Sequence, residues 1–269
     1  MKIDKETQLC ISIASNPGNF GATIHNAAFQ SSGLNYCYIP FKTSDLKGTI
    51  QGIRALGIRG CGVSMPHKIS VIELLDEIEP EALNVGAVNT IVNTQKVLKG
   101  WNTDVYGVKR ALVEYNIPTN LKVLVVGAGG MAKSILFALK QNGIEHIYVC
   151  NRTFKKAQTF ASKYNLESIP FEQIESINPE FLINATSIGM NSKSCIFPES
   201  MIKQAEYVMD VPTNPMKTTL IKLAESYKKR AIPGYFISLY QAARQFELYT
   251  EHAAPLEIMK KTMNKLLTF

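Results

Sequence analysis

A short apolar run that ends in a glycine cluster constrains the fold of this chain more than any other feature. Residues 123–126 read VLVV, and residues 127–132 read GAGGMA before a helical pattern begins. A strand that turns tightly into a helix needs a residue such as Gly127, and a side chain at Gly129 would keep the backbone away from a pyrophosphate. Small Ala132 allows the helix to pack on the sheet, and the first N–H groups of that helix face the phosphates. This stretch therefore predicts a dinucleotide site.

Composition narrows the class of protein around this site. At 269 residues, 46% of them apolar, the chain has room for two modest domains. The N-terminus is charged and no apolar run approaches a membrane span, so we expect a soluble, cytoplasmic protein without membrane contact. Five scattered cysteines indicate reduced thiols, and four histidines form no metal-ligand pattern, so no metal is expected. The net charge of +7 is diffuse, which suits a small anionic ligand and does not suit nucleic acid.

Alternation of strand and helix patterns predicts a parallel sheet in the first hundred residues. We expect strands at 9–14, 34–41 and 58–63, helices at 23–32, 46–56 and about 69–75, and a hairpin formed by 87–92 and 97–101. Ligands bind at the C-terminal ends of the strands in open α/β sheets. That rule puts Ser64 and Lys68, which follow the third strand, in a candidate site. The short polar run at 102–104 suits the N-cap of a helix at about 105–115.

The second half repeats the same rhythm and predicts a doubly wound sheet. The expected strands are 121–126, 147–150, 181–184 and 207–210, and the expected helices are 130–141, 153–164 and 216–226. Gly234 then interrupts the pattern before two closing helices at 236–251 and 256–267, which could complete either domain. The fold class is α/β with two domains that change near residue 104.

The identity of the dinucleotide depends on the residues after the second strand of this half. An acidic side chain normally meets a free ribose 2′-hydroxyl at this point. Here the sequence reads Asn151-Arg152-Thr153, with two lysines close behind. The guanidinium of Arg152 matches a phosphate, so the turn favours NADP over NAD. The alternative is that Arg152 is an ordinary exposed residue at the start of a helix.

Several short motifs in order make the chain resemble the shikimate dehydrogenase family over essentially its whole length. They are VSMPHK at 63–68, VNT at 88–90, NTD at 102–104, GAGGMA at 127–132, NRT at 151–153, NATSIGM at 184–190 and the segment from PG at 233 to YQAARQFELYT at 240–250. The resemblance implies an N-terminal α/β substrate domain, residues 1–104 completed by 236–269. It also implies an NADP-binding Rossmann domain, residues 105–235, an active-site cleft between the two, and a place in aromatic amino acid biosynthesis.

The resemblance also implies roles for individual residues. It assigns the catalytic pair to Lys68 and Asp104, where a desolvated lysine takes the hydroxyl proton as hydride leaves. Ser64, Asn89 and Gln241 match positions that bind the substrate. Without the resemblance, Lys68 is a solvated lysine, Asp104 a helix cap and Gln241 an interface amide. The implied cofactor-binding positions are Gly127, Ala128, Gly129, Gly130, Met131, Ala132, Asn151, Arg152, Thr153, Thr186, Ser187 and Gly234.

This chain departs from the family pattern around the substrate. Two serines that hold the substrate carboxylate in the family are replaced by Asn19 and Gly21. Gly62 stands where asparagine is usual, Ser64 where threonine is usual, and Thr213 where tyrosine is frequent. Each lost hydrogen bond to a buried carboxylate costs about 1–3 kcal/mol, enough to weaken affinity tenfold. The chain is therefore most similar to the shikimate dehydrogenase-like subgroup, in which oxidation of shikimate is weak.

Three functions remain open from the sequence. The first is an NADP-dependent oxidoreductase that interconverts shikimate and 3-dehydroshikimate, or a close cyclic hydroxy acid. The second keeps the cofactor and the catalytic pair but acts on quinate, an amino-shikimate or another small carboxylic acid. The third is an NADP-binding sensor with vestigial catalysis. The expected assembly is a monomer or a homodimer.

Overall fold

A computed structural model describes residues 3–267 of the chain, and these residues form two compact units. The first unit runs as far as Tyr106 and resumes at Leu239, and the second is Gly107–Ser238. The assignment of substrate binding to 1–104 with 236–269, and of NADP binding to 105–235, stays a prediction. Within the described residues, no helix has the length and apolar character that a membrane crossing requires.

The first unit is built on a six-stranded sheet in the order β2-β1-β3-β5-β6-β4. Its strands are β1 (Gln8–Ala14), β2 (Tyr36–Lys42), β3 (Gly60–Val63), β4 (Glu77–Ile78), β5 (Thr90–Thr94) and β6 (Val97–Trp101). Helices α1 (Phe20–Ser31), α2 (Leu46–Ala55) and α3 (Pro80–Val85) belong to this unit, and α4 (Thr103–Glu114) begins in it and continues into the second unit. Strand β1 pairs in parallel with β2 and β3, and the predicted hairpin adds β5 and β6 in antiparallel fashion. Positive φ angles at Gln95 (52°) and Lys96 (71°) form its two-residue turn.

Three predictions for the first unit are wrong in detail. The first strand of the hairpin is Thr90–Thr94 and not 87–92. Helix α1 begins at Phe20 and not at Thr23, because the carbonyl of Asn19 already accepts the first helical bond from the Thr23 N–H at 2.9 Å. The helix expected at about 69–75 is a series of turns with a 3₁₀ segment at Ile72–Leu74. The carbonyl of Lys68 accepts from the distant Val88 N–H at 2.8 Å, while the Ile72 N–H bonds the Ile69 carbonyl at 3.3 Å in a 3₁₀ contact, so a regular α-helix does not form here.

The second unit contains a six-stranded, fully parallel sheet in the order β12-β11-β10-β7-β8-β9. Its strands are β7 (Val123–Val126), β8 (Ile147–Cys150), β9 (Glu167–Ser168), β10 (Phe181–Asn184), β11 (Tyr207–Asp210) and β12 (Arg230–Pro233). Its helices are α5 (Gly130–Gln141), α6 (Phe154–Tyr164), α7 (Glu199–Gln204) and α8 (Thr219–Ser226). Counted along the chain, this is the 3-2-1-4-5-6 order of a doubly wound dinucleotide-binding sheet, which confirms the predicted class. The order reverses between β7 and β10, where such sheets bind ligands.

Two closing helices follow, α9 (Gly234–Thr250) and α10 (Leu256–Leu267). The predicted interruption at Gly234 is wrong, because Gly234 directly starts α9 after a strand that the sequence analysis missed, β12. A Cβ on Gly234 would collide with the carbonyl oxygens of Val211 and Pro212. The first residue of α9 therefore packs directly on the backbone of residues 211–212. Helix α8 begins at Thr219, three residues after the predicted 216, because the hydroxyl of Thr218 caps it by accepting from the Ile221 N–H.

Candidate active site

The side chains of Lys68 and Asp104 meet in the first unit. The Lys68 Nζ donates to Asp104 Oδ2 at 2.5 Å, and the two side chains keep 18% and 8% of their surface exposed. The pair is therefore largely shielded from water, while part of the Lys68 side chain remains exposed. An amine and a carboxylate held together in this way are groups that can exchange a proton with a ligand.

Backbone contacts fix both members of this pair. The bond from Val88 to the carbonyl of Lys68 holds the turn after β3 against the segment that leads into β5. Asp104 lies in the first turn of α4, which Asn102 caps by accepting from the Val105 N–H at 3.2 Å. A carboxylate in the first turn is stabilised by the helix dipole. The predicted cap is therefore Asn102, and Asp104 is left to bind Lys68.

Asn89 lies beside the end of β3 and is 3% exposed. Its Oδ1 accepts three hydrogen bonds, from the Thr103 N–H at 2.7 Å, the Thr90 hydroxyl at 2.8 Å and the Thr103 hydroxyl at 3.1 Å. Its Nδ2 donates to no residue within the described part of the chain. The carboxamide is thus oriented with its oxygen toward protein and its two N–H donors left for a ligand.

Two further predicted substrate residues of the first unit, Ser64 and Gln241, lie on a strand end and on helix α9. Ser64 is exposed at the C-terminal end of β3, and its own backbone N–H bonds the carbonyl of Ile13 at 2.9 Å. Gln241 on α9 is half-buried and donates to the Thr103 hydroxyl at 3.3 Å. Through Thr103, Gln241 belongs to the same hydrogen-bonded group as Asn89.

Asn19 and Gly21 lie at the N-terminus of α1. Asn19 is the N-cap residue and is exposed, but its side chain makes no capping bond. A Cβ on Gly21 would lie 3.6 Å from Cε1 and Oη of Tyr38, which is ordinary van der Waals contact. Packing therefore does not require glycine at this position, and a serine would fit.

Sequence reasoning missed a buried polar group behind these residues. His25 and Gln245 are completely and almost completely buried, and the His25 Nε2–H donates to Gln245 Oε1 at 3.3 Å. His25 stacks on Tyr38 with ring centroids 4.5 Å apart, and burial lowers the pKa of His25 to about 4. The signal that was available is spacing, because Gln245 follows Gln241 by one helical turn and faces the same side of α9.

In the glycine turn of the second unit, Gly127 and Gly129 have different steric surroundings. Gly127 has a φ of 129°, and a Cβ there would lie 2.8 Å from the carbonyl oxygen of Ala185. Gly129 is exposed, and a Cβ there would meet no atom within 4 Å. Protein packing thus requires glycine at 127, whereas the space above Gly129 is open to a ligand. Ala132 is fully buried on α5, and the predicted positions Ala128, Gly130 and Met131 complete the turn.

The turn after β8 carries the predicted phosphate-recognition residues. Asn151 Nδ2 donates to the carbonyl of Thr153 at 3.1 Å and closes the turn, and Thr153 is the N-cap of α6. Arg152 is exposed and has no ion-pair or hydrogen-bond partner among residues 3–267. Its guanidinium is therefore available to an external anion.

A loop after β10 contains the last predicted cofactor residues, Thr186 and Ser187. Buried Asn184 shapes it by donating to the Ile188 carbonyl at 2.9 Å and by accepting from the Thr186 N–H and hydroxyl at 3.0 and 2.6 Å. Ser187 is exposed. Asn184 Nδ2 also donates to Asp210 Oδ1 at 2.7 Å. Burial raises the pKa of Asp210 to about 6. The Thr186 hydroxyl therefore stabilises the loop through its bond to Asn184.

Three domain families match the chain in succession. The shikimate dehydrogenase substrate binding domain matches residues 20–91, the shikimate / quinate 5-dehydrogenase family matches 111–218, and the shikimate 5′-dehydrogenase C-terminal domain matches 238–263. A shikimate dehydrogenase-like protein of Haemophilus influenzae is 40% identical over 257 residues, which cover 94% of each chain. The chain belongs to the shikimate dehydrogenase family.

Further members of the shikimate dehydrogenase family extend this similarity. A shikimate dehydrogenase (NADP(+)) of Pyrococcus furiosus is 36% identical over 267 residues, 96% of each chain. The solved shikimate 5-dehydrogenase of Thermus thermophilus, in complex with NADP(H) and shikimate, is 28% identical with a TM-score of 0.86 and covers 96% of this chain and 100% of its own. The fold of both units is therefore the family fold.

Proposed function

We propose that this protein is an NADP-dependent oxidoreductase that interconverts shikimate, or a close cyclic hydroxy acid, with the corresponding ketone. The observation that carries the proposal is the partly buried contact of Lys68 with Asp104 beside the free amide donors of Asn89. Membership of the shikimate dehydrogenase family supports the same reaction.

The residues of the first unit supply the proton chemistry in this proposal. Lys68 in its neutral form takes the proton of the reacting hydroxyl and returns it during ketone reduction. Asp104 orients the Lys68 amine and stabilises the ammonium group that forms. Asn89 donates from Nδ2 to a substrate oxygen, and Ser64 and Gln241 add polar groups at the same edge of the sheet. NADP⁺, when bound, accepts the hydride.

The residues of the second unit fit NADP. Open space above Gly129 and the N-terminus of α5 suit a pyrophosphate, which backbone N–H groups bind. Arg152 would bind the 2′-phosphate, since its guanidinium is exposed and has no carboxylate partner in the described residues. Asn151, Thr153, Thr186, Ser187 and Gly234 are proposed to shape the rest of the site.

The direct test is to follow NADPH formation with the purified protein and shikimate, and then with quinate. The proposal predicts NADP-dependent turnover of at least one of these acids. Tight NADP binding without turnover of any hydroxy acid tested would contradict it and identify an NADP-binding sensor.

The N-terminus of α1 favours a second candidate substrate class. Asn19 offers an amide and Gly21 offers no side chain where two serines are usual, so the acid-binding part of the site has a different set of donors. Quinate, an amino-shikimate or another small carboxylic acid is then the better substrate. A panel of these acids, ranked by kcat/KM, separates this candidate from the first.

Location and assembly belong to the same proposal. All five cysteines are free thiols, which supports a reducing compartment such as the cytoplasm. We propose a monomer or a homodimer, to be measured by light scattering.

A further inference from the structure

Gln245 connects helix α9 to the residues around the candidate substrate site. It is 4% exposed, and its Nε2 donates to the Thr90 hydroxyl at 2.9 Å and to the Asn89 carbonyl at 3.3 Å. Its Oε1 accepts from the His25 Nε2–H, so both ends of the carboxamide are bonded. Gln245 therefore has a single orientation in this unit, fixed from α1 on one side and from β5 on the other.

The bond to Thr90 leads directly to Asn89. The hydroxyl of Thr90 accepts from Gln245 Nε2, donates its one hydrogen to Asn89 Oδ1 at 2.8 Å, and lies 2.9 Å from the Thr103 hydroxyl, from which it accepts in this arrangement. The N–H and the hydroxyl of Thr103 donate to the same Asn89 oxygen. By occupying one acceptor position of the Thr90 hydroxyl, Gln245 favours the orientation in which this hydroxyl donates to Asn89 Oδ1, an oxygen that the Thr103 N–H also holds.

The absence of a side chain at Gly62 makes room for this arrangement. A Cβ on Gly62 would lie 2.7 Å from the Tyr38 Oη and 3.3 Å from Gln245 Nε2. Either group would be displaced by a larger residue. Gln245 therefore reaches Thr90 through space that the strand β3 leaves open.

We propose that Gln245 is a positioning residue, which acts through Thr90 to hold the Nδ2 donors of Asn89 toward the hydroxy-acid substrate. The inference rests on the proposed function, in which Asn89 binds that substrate. It adds a requirement on α9 that is separate from Gln241, because Gln245 is 4% exposed and both ends of its carboxamide bond protein groups.

The kinetic test is a double-mutant cycle between Gln245 and Asn89. Gln245→Met keeps the size of the side chain and removes its hydrogen bonds, so KM for the acid should rise about fivefold to tenfold while KM for NADP is unchanged. In an Asn89→Ala background, Gln245→Met should cause no further change. Thr90→Val should reproduce the effect of Gln245→Met. Thr250→Val is the matched control, because Thr250 is a buried residue of α9 whose hydroxyl bonds the Phe246 carbonyl and the His252 N–H and neither Asn89 nor Thr90.

Equal effects of Gln245→Met with and without the Asn89 side chain would overturn the proposal. A second measurement tests the proposal without relying on turnover. In the unliganded protein, the side-chain amide signal of Asn89, assigned by its loss in Asn89→Ala, should shift in the nitrogen NMR spectrum of Gln245→Met and not in that of Thr250→Val. An unshifted signal refutes the positioning role, whereas a shifted signal with no turnover of any acid refutes only the proposed function.

Discussion

The amine of Lys68 lies 2.5 Å from Oδ2 of Asp104, although the two residues are 36 positions apart in the chain. A backbone bond from Val88 fixes the turn that carries Lys68, and Asn102 caps the helix that carries Asp104. Neither side chain depends on the other for its place. Substituting one should therefore change the chemistry of the pair without rearranging the backbone around it.

Replacing Lys68 by Met should abolish most turnover. The variant keeps the apolar stem and loses the group that takes the hydroxyl proton, so kcat should fall by about 10²- to 10⁴-fold with NADP affinity unchanged. Steady-state kinetics measure kcat, and a fluorescence titration measures the affinity for NADP. Lys99→Met is the control, because Lys99 is a more exposed lysine of the same unit and pairs with Glu77 at 3.4 Å. Wild-type turnover in Lys68→Met would exclude Lys68 as the proton acceptor.

The two glycines of the nucleotide turn should respond differently to alanine. Gly127→Ala places a Cβ against the Ala185 carbonyl at a φ of 129°, so it should lower the melting temperature. Gly129→Ala meets no protein atom and should leave the melting temperature unchanged, but it should weaken NADP binding about tenfold or more by obstructing the phosphates. Calorimetric melting and NADP titration of both variants make the comparison. Unchanged NADP affinity in Gly129→Ala would show that the open space is not the phosphate site.

Local signals in the sequence were sufficient for much of the second unit. The helix at 130–141 and the strands at 147–150, 181–184 and 207–210 have the predicted bounds, because apolar runs are bounded there by glycine or polar turn residues. One failure in the first unit has a tertiary cause. The segment at 69–75 is not a helix because the carbonyl of Lys68 bonds Val88, and that contact has no local signature.

In the candidate site, too, the residues in local motifs could be predicted, whereas a residue defined by long-range contacts could not. The motifs shared with the shikimate dehydrogenase family identify Lys68 and Asp104 as residues to examine, and Lys68 also follows a strand end. Gln245 could not be identified in this way, since its role depends on His25, 220 positions away, and on a hydroxyl of β5. A buried polar residue on a helix is informative only when its partners are known.

Arg152→Ala should separate the two dinucleotides. If the guanidinium binds the 2′-phosphate, the loss of charge-assisted hydrogen bonds should weaken NADP by about 10- to 100-fold and leave NAD nearly unchanged. Isothermal titration with both dinucleotides measures the difference. Lys222→Ala, an exposed cation on α8, controls for the general loss of one positive charge. Equal weakening of NADP and NAD by Arg152→Ala would count against a phosphate contact.

Adding a hydroxyl at the start of α1 should improve binding of shikimate. Gly21→Ser fits, since its Cβ would lie 3.6 Å from the Tyr38 ring, and it restores one of the donors that the family pattern provides. We expect KM for shikimate to fall about fivefold, the value of one added hydrogen bond. Gly62→Ser is the matched control, because its Cβ would lie 2.7 Å from the Tyr38 Oη and should destabilise the unit. A KM that rises in a stable Gly21→Ser variant would indicate that the substrate does not carry its acid group there.

Buried His25 should make the first unit less stable in acid. Burial holds the pKa of His25 at about 4, whereas the ordinary value of 6.5 applies to the unfolded chain. Below pH 6.5 the unfolded chain therefore binds a proton that the folded unit does not, and stability falls as the pH decreases from about 6.5 to about 4. The loss should reach up to about 3 kcal/mol, and His25→Gln should remove this pH dependence. Opening free energies from hydrogen exchange of the α1 amides, corrected for the intrinsic exchange rate at each pH, measure it. If wild type and His25→Gln showed the same slope over this range, another group would be responsible for the acid sensitivity.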